Sequence, residues 1–296
     1  MFNLIELTLS WFFLKEKGME NQYDSILFEK RKGGKYGEKP KEIDLLEKYE
    51  YDFSLEGKIG SHLKNKNSFL LVIDEISIIS LLPLLETLDK KDFTIINCHM
   101  GITSYGVKHL PETRDITLIN EKKICVYEPF DQCSFFSLLH ANGKKIIRLA
   151  DKELPSSIVQ DPLSAIAMTH TIKDGDQWTV LCCGSMLIDC CTALGSNFDI
   201  FVLAQFSQPW PLRVVRSIDA TKKLVIILDQ EPGGRYEQFV KAQLYEHNLT
   251  AIKPIFIYPA YNNINTILTE YIYEQANFDE QGIMKKISPK SYNQLV

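Results

Sequence analysis

The sequence predicts an α/β protein made of two doubly wound sheet domains, and three observations carry that prediction. Apolar runs of about five residues recur at 69–73, 93–97, 123–127, 145–149, 178–182, 200–204, 224–228 and 254–258. Runs this short, without polar alternation and separated by helical patterns, read as parallel strands covered on both faces. Glycine, serine and proline gather where those runs end, at Cys183-Gly184-Ser185, Gln208-Pro209-Trp210-Pro211 and Asp229 to Gly234. Such strand ends are where open α/β sheets place ligands. The chain is 296 residues long, which suits two domains of roughly 150 residues.

The elements follow in order. Residues 1–67 are poorly patterned. Their first fourteen residues carry Leu4, Ile5, Leu7, Leu9, Trp11, Phe12, Phe13 and Leu14. They lack the basic start and small-residue cleavage site of a signal peptide, and they are too short to span a bilayer. An amphipathic helix packed on the protein or on a partner is expected there, and Met19 is a possible alternative start. A short strand in 23–28, a helix over 42–48 and a strand over 49–55 complete the segment. The first sheet domain covers 68–155, with strands at 69–73, 93–97, 123–127 and 145–149 and helices over 76–88 and 131–140. Residues 156–175 read as a linker, flanked and punctuated by Pro155 and Pro162. The second sheet domain covers 176–296 and ends in a helix over 264–274.

Composition narrows the partners. The chain is 45% hydrophobic and 24% charged, ordinary for a soluble globular protein. Its formal net charge is -5, which speaks against a nucleic-acid or anionic-membrane partner, because counterion release needs clustered cations. The one basic cluster, Lys30-Arg31-Lys32 with Lys35, reads as a solvated loop. Seven cysteines include two adjacent pairs, Cys182-Cys183 and Cys190-Cys191. Neighbouring cysteines rarely bridge each other, and no Cys-x-x-Cys spacing occurs. Buried free thiols in a reducing cytoplasm are therefore expected, with no metal site built on them.

Read in this order, residues 68–287 resemble the C-terminal half of transketolase-like thiamine diphosphate enzymes. That group includes transketolase, deoxyxylulose-phosphate synthase and the β subunit of 2-oxo-acid dehydrogenase. His99-Met100-Gly101-Ile102 resembles the start of the family's histidine- and glycine-rich loop, and Gly106 to His109 its shortened end. Pro129-Phe130-Asp131 is similar to the family's P-x-D turn, and Arg148 to the arginine that ends its next strand. Gly184-Ser185, the segment Gln208 to Leu212, the turn Asp229 to Gly234, and Phe278 to Ile283 resemble the family's later landmarks in the right order. The resemblance implies a pyrimidine-binding-like domain followed by a transketolase C-terminal-like domain.

It also implies candidate sites. His99 and His109 correspond to loop histidines that face cofactor and substrate, where imidazoles shuttle protons near neutral pH; a surface-loop pair is the alternative. Glu56 is the nearest candidate for the glutamate that bonds the aminopyrimidine ring, against a solvated loop glutamate. Arg148 would bind a substrate phosphate or make a structural ion pair. The sequence departs from the family in two respects. The aromatic expected after strand 69–73 is absent, since that position reads Asp74-Glu75-Ile76. No G-D-G…N motif is present to hold the diphosphate and its Mg²⁺. A partner chain carrying that domain is therefore implied, in a homo- or hetero-oligomer. Thiamine diphosphate would serve two-carbon transfer or 2-oxo-acid decarboxylation. The alternative is a non-catalytic relative that acts in subunit association or regulation.

Overall fold

The computed structural model describes residues 2–3, 22, 24, 26–28, 67–73, 81, 92–100, 124–150, 153–156, 158, 169–173, 175–205, 209–229, 235–259 and 280–287. The first sheet draws on β2 (Ile26–Phe28), β3 (Ser68–Ile73), β4 (Asp92–Met100), β5 (Cys125–Tyr127) and β6 (Lys145–Ala150). Their spatial order is β2-β3-β4-β6-β5, and every pairing is parallel. Five consecutive residues of β3, Phe69 to Ile73, are buried. That accounts for the missing polar alternation, since a strand covered on both faces has no wet side. Phe69 and Phe93 stack between the two central strands with ring centroids 5.3 Å apart.

Helix α1 (Gln132–His140) starts where the sequence places it. The Asp131 carboxylate accepts from the Ser134 N–H at 2.6 Å, and the Ser134 hydroxyl accepts in return from the Asp131 N–H at 3.1 Å. This reciprocal capping box satisfies two backbone donors that the helix cannot. The second carboxylate oxygen of Asp131 accepts from the Ile158 N–H at 2.6 Å, pinning the chain that leaves the sheet.

The second sheet contains β8 (Thr169–Lys173), β9 (Trp178–Cys183), β10 (Phe198–Leu203), β11 (Leu224–Ile227) and β12 (Ile255–Ile257). Its order is β12-β11-β9-β10-β8, with β8 antiparallel to β10 and the rest parallel. Around it run α2 (Leu187–Ala193), α3 (Leu212–Thr221), α4 (Arg235–Glu246) and α5 (Glu280–Ile287). Helix α3 buries Val214, Val215 and Ile218, each side chain contributing roughly 1.5–3 kcal/mol relative to exposure. The Thr179 hydroxyl lies 2.7 Å from that of Ser217 and 2.9 Å from that of Thr221, fastening β9 to this helix.

The architecture is α/β, as the apolar runs predict. Three details differ from the sequence reading. Phe2–Asn3, expected in a helix, forms the short strand β1, antiparallel to β7 (Glu153–Leu154). Pairing with another strand satisfies backbone groups there that a helix would have satisfied internally. The stretch read as linker supplies β8, which closes the far edge of the second sheet. Strand β4 runs on through His99 and Met100, past the 93–97 expected, with a register irregularity after Asn97. The expected helix over 42–48, the strand over 49–55 and the helix over 264–274 lie outside the described residues, as does most of 76–88. Among the described residues no helix is long and apolar enough to cross a membrane.

Candidate functional site

The two sheets meet end to end. Strand order in the second sheet reverses at β9, which has β10 on one side and β11 on the other. The carboxyl ends of β9 and β11 therefore form the crevice where an α/β sheet ordinarily takes a ligand. Here the crevice is filled from within the chain, by the segment that follows β5.

Backbone contacts set that seam. The Glu128 N–H donates to the Ala204 carbonyl at 2.9 Å, and Tyr127 forms an isolated antiparallel bridge with Gln205. Phe130 belongs to the apolar core of the second sheet. Gly184 faces the Pro129 carbonyl so closely that a Cβ placed on it would stand 2.4 Å from that oxygen. Only glycine admits such an approach.

Side chains complete the seam. The Ser185 N–H donates to Glu128 Oε1 at 3.0 Å, while the Ser185 hydroxyl donates to Asp229 Oδ2 at 2.9 Å. Arg148 Nη1 donates to Glu128 Oε2 at 3.2 Å. The Cys183 thiol lies 3.2 Å from the Ser185 hydroxyl. Glu128, Arg148, Cys183, Ser185 and Asp229 are all buried, none more than 3% exposed. Burial and then the Asp229 charge push the Glu128 carboxyl up to about 7, against the opposing pull of Arg148. Burial also raises Asp229, and it raises the Cys183 thiol well above its ordinary range.

Glu128, Cys183 and Asp229 bring one donor atom each to within 4.8 Å of one another. A metal ion could use such a spacing, but the Arg148 guanidinium already supplies the cation beside Glu128. A positive neighbour of that kind opposes a second cation in a low-dielectric site. A cavity of about 10 Å³ lies against this cluster, lined by Glu128, Pro129, Arg148, Leu154 and Ser185 among others. A cavity of that size holds about one water molecule, so among the described residues this space takes no organic ligand. What the arrangement does hold is buried, hydrogen-bonded charge across the boundary of two sheets.

Of the residues singled out in the sequence, Arg148 is the one whose side chain is placed, and its partner is Glu128. His99 lies on β4, with its side chain outside the described residues; Glu56 and His109 lie outside them altogether. Sequence reasoning did not connect Glu128, Ser185 and Asp229, although Glu128 and Asp229 each follow directly on an apolar run and Ser185 follows shortly after another. That shared position was the available signal. Among the described residues of the first domain, the buried carboxylates are Glu128, bonded to Arg148 and Ser185, and Asp131, bonded to Ser134 and Ile158, and the sequence after β3 reads Asp74-Glu75 rather than an aromatic.

No protein-family description and no curated protein sequence matches the chain. Solved structures do. A split-gene transketolase, described as an inactive β4 tetramer, superposes with a TM-score of 0.66 at 14% identity, covering 96% of both chains. A transketolase from Campylobacter jejuni subsp. jejuni gives 0.55 at 12% identity, over 75% of this chain and 35% of that one. A transketolase variant from Pichia stipitis gives 0.57 at 12%, over 79% and 36%. The chain thus spans about a third of these longer transketolases and 96% of the split-gene chain. Its fold is that of a transketolase-like C-terminal half.

Proposed function

We propose that this chain is the C-terminal, β-like subunit of a split transketolase-type enzyme, working with a partner chain that carries the diphosphate-binding domain. The end-to-end match to a split-gene transketolase chain, 96% of each, carries this reading. A lone α/β domain pair with no diphosphate motif is what such a division of a longer enzyme leaves behind. In this reading the partner holds thiamine diphosphate and Mg²⁺. His99 and His109 serve as proton shuttles, Glu56 is the carboxyl partner of the pyrimidine, and the reaction is two-carbon transfer or 2-oxo-acid decarboxylation. Arg148 sits in its ion pair and stabilises the subunit rather than gripping a substrate phosphate. A cytoplasmic oligomer agrees with the seven free thiols and with the tetrameric state of the split-gene relative.

One observation favours a second reading, association or regulation without catalysis. The strand β3 is followed by two acidic residues where a stacking aromatic is expected, and base-type stacking contributes about 0.5–1.5 kcal/mol beyond burial. Calorimetry with thiamine diphosphate and Mg²⁺ separates the two readings. The catalytic reading expects no binding by this chain alone and saturable binding when a chain bearing the G-D-G…N motif is added. Heat absent from both titrations sinks it and leaves the non-catalytic reading.

A further inference from the structure

Five polar groups from four stretches of chain converge at the seam. Glu128 follows β5, Arg148 lies on β6, Cys183 ends β9, Ser185 follows it, and Asp229 follows β11. From α4, buried Tyr236 bears on Cys183. The donor atoms of Glu128, Cys183 and Asp229 lie within 4.8 Å of one another, and a single guanidinium stands beside them. Two carboxylates this close, out of water and sharing one cation, cannot both ionise cheaply, because repulsion and desolvation act together. Ser185 ties them into one unit, its N–H on Glu128 and its hydroxyl on Asp229.

We propose that Glu128 and Asp229 retain one shared proton at neutral pH, and that losing it loosens the seam between the two sheets. Glu128 belongs to the first sheet and Asp229 to the second, so their repulsion pushes the two sheets apart. Among the described residues, hydrogen bonds that close the seam are made by Glu128 itself and by Ser185, which bonds both carboxylates. The Glu128 N–H to the Ala204 carbonyl and the Ser185 N–H to the Glu128 carboxylate would be the first to lengthen.

The direction of the pH effect follows from linkage. Glu128 is raised to about 7 from an ordinary 4.5, so the folded state keeps a proton that the unfolded chain has released. Its contribution to stability is complete below about pH 4.5 and is lost as pH rises through about 7. The proton therefore acts as a latch that closes on the acidic side of neutrality. It is independent of any catalytic role for this chain, since neither carboxylate is assigned to the reaction.

Hydrogen exchange of the full chain tests it, read at the amides of Glu128 and Ser185 and corrected for intrinsic pH dependence. Between about pH 6 and pH 8 the protection of these two amides is expected to fall about tenfold, the factor set by a carboxyl raised to about 7. Glu128→Gln and Asp229→Asn each leave one carboxylate facing one guanidinium, so either variant is expected to flatten the dependence. Should one of the two not fold, the other reads the same quantity. Protection that is the same at both pH values in the unaltered chain overturns the proposal. A folded variant that keeps the full tenfold change overturns it equally.

Discussion

Glu128, at the carboxyl end of a strand in the first sheet, accepts a 3.0 Å hydrogen bond from the backbone N–H of Ser185 in the second. That bond crosses the boundary between the two halves of the fold, and both partners are buried. It converts the second sheet's ordinary ligand crevice into an internal joint. Rigidity between the domains therefore depends on a few buried polar groups as well as on apolar area. Such joints are costly to break and sensitive to single changes.

Arg148 neutralises the joint, so its removal should hurt more than its pair energy suggests. Arg148→Met leaves Glu128 and Asp229 buried without their cation, a loss of about 3–5 kcal/mol. The double variant Arg148→Met, Glu128→Gln should recover a substantial part of it, since one of the stranded charges is gone. Urea unfolding of the four species in the cycle reads the coupling. Strictly additive losses would show that the two side chains do not depend on each other.

Gly184→Ala is expected to destabilise by at least about 1–3 kcal/mol, as overpacking does. The added methyl must displace the Pro129 carbonyl, because backbone there cannot rotate away. Gly195→Ala is the matched control, since nothing lies within 4 Å of its Cβ position. Thermal melting of both should separate them clearly. Equal melting temperatures would mean that the close approach at Gly184 is relieved at little cost.

A change for the better is expected at the end of α3. Lys222 adopts a left-handed backbone, with φ of 54°, where the helix stops. Glycine takes that conformation without Cβ strain and is the usual residue at such helix ends. Lys222→Gly should stabilise by up to about 1 kcal/mol, measured by denaturant midpoint at unchanged slope. A lower midpoint would show that backbone entropy outweighs the relieved strain.

The thiols should differ in reactivity by burial. Cys98, Cys182, Cys183 and Cys190 are buried, whereas Cys125, Cys133 and Cys191 are partly exposed. The Cys182 thiol is raised well above its ordinary range by its hydrogen bond with Cys190 and by burial, and burial leads the same shift at Cys183. Only the thiolate is nucleophilic. Under native conditions iodoacetamide should therefore modify the partly exposed three first, with Cys182 and Cys183 last, as peptide mass spectrometry would show. Early labelling of Cys182 would mean that the core of the second sheet opens readily.

The elements were legible because local signals and burial agree. The run 69–73 lacks polar alternation since both of its faces are covered, and the helix expected over 131–140 forms as Gln132–His140. The resemblance to transketolase-like enzymes rested on the order of such pieces, and the fold agrees. Glu128, Ser185 and Asp229 gave no local sign of meeting. They are separated by 57 and 44 positions, and nothing in a strand's own pattern says which other strand end will face it. The glycine–serine turn after β9 looked like a ligand site by the rule for a single sheet. Whether such a crevice stays open depends on what the rest of the chain packs into it. Here sequence determined the strands and the buried thiols through local apolar patterning. Tertiary structure alone decided that the crevice closes on Glu128, because that rests on long-range packing and on desolvated charges that only the assembled sheets bring together.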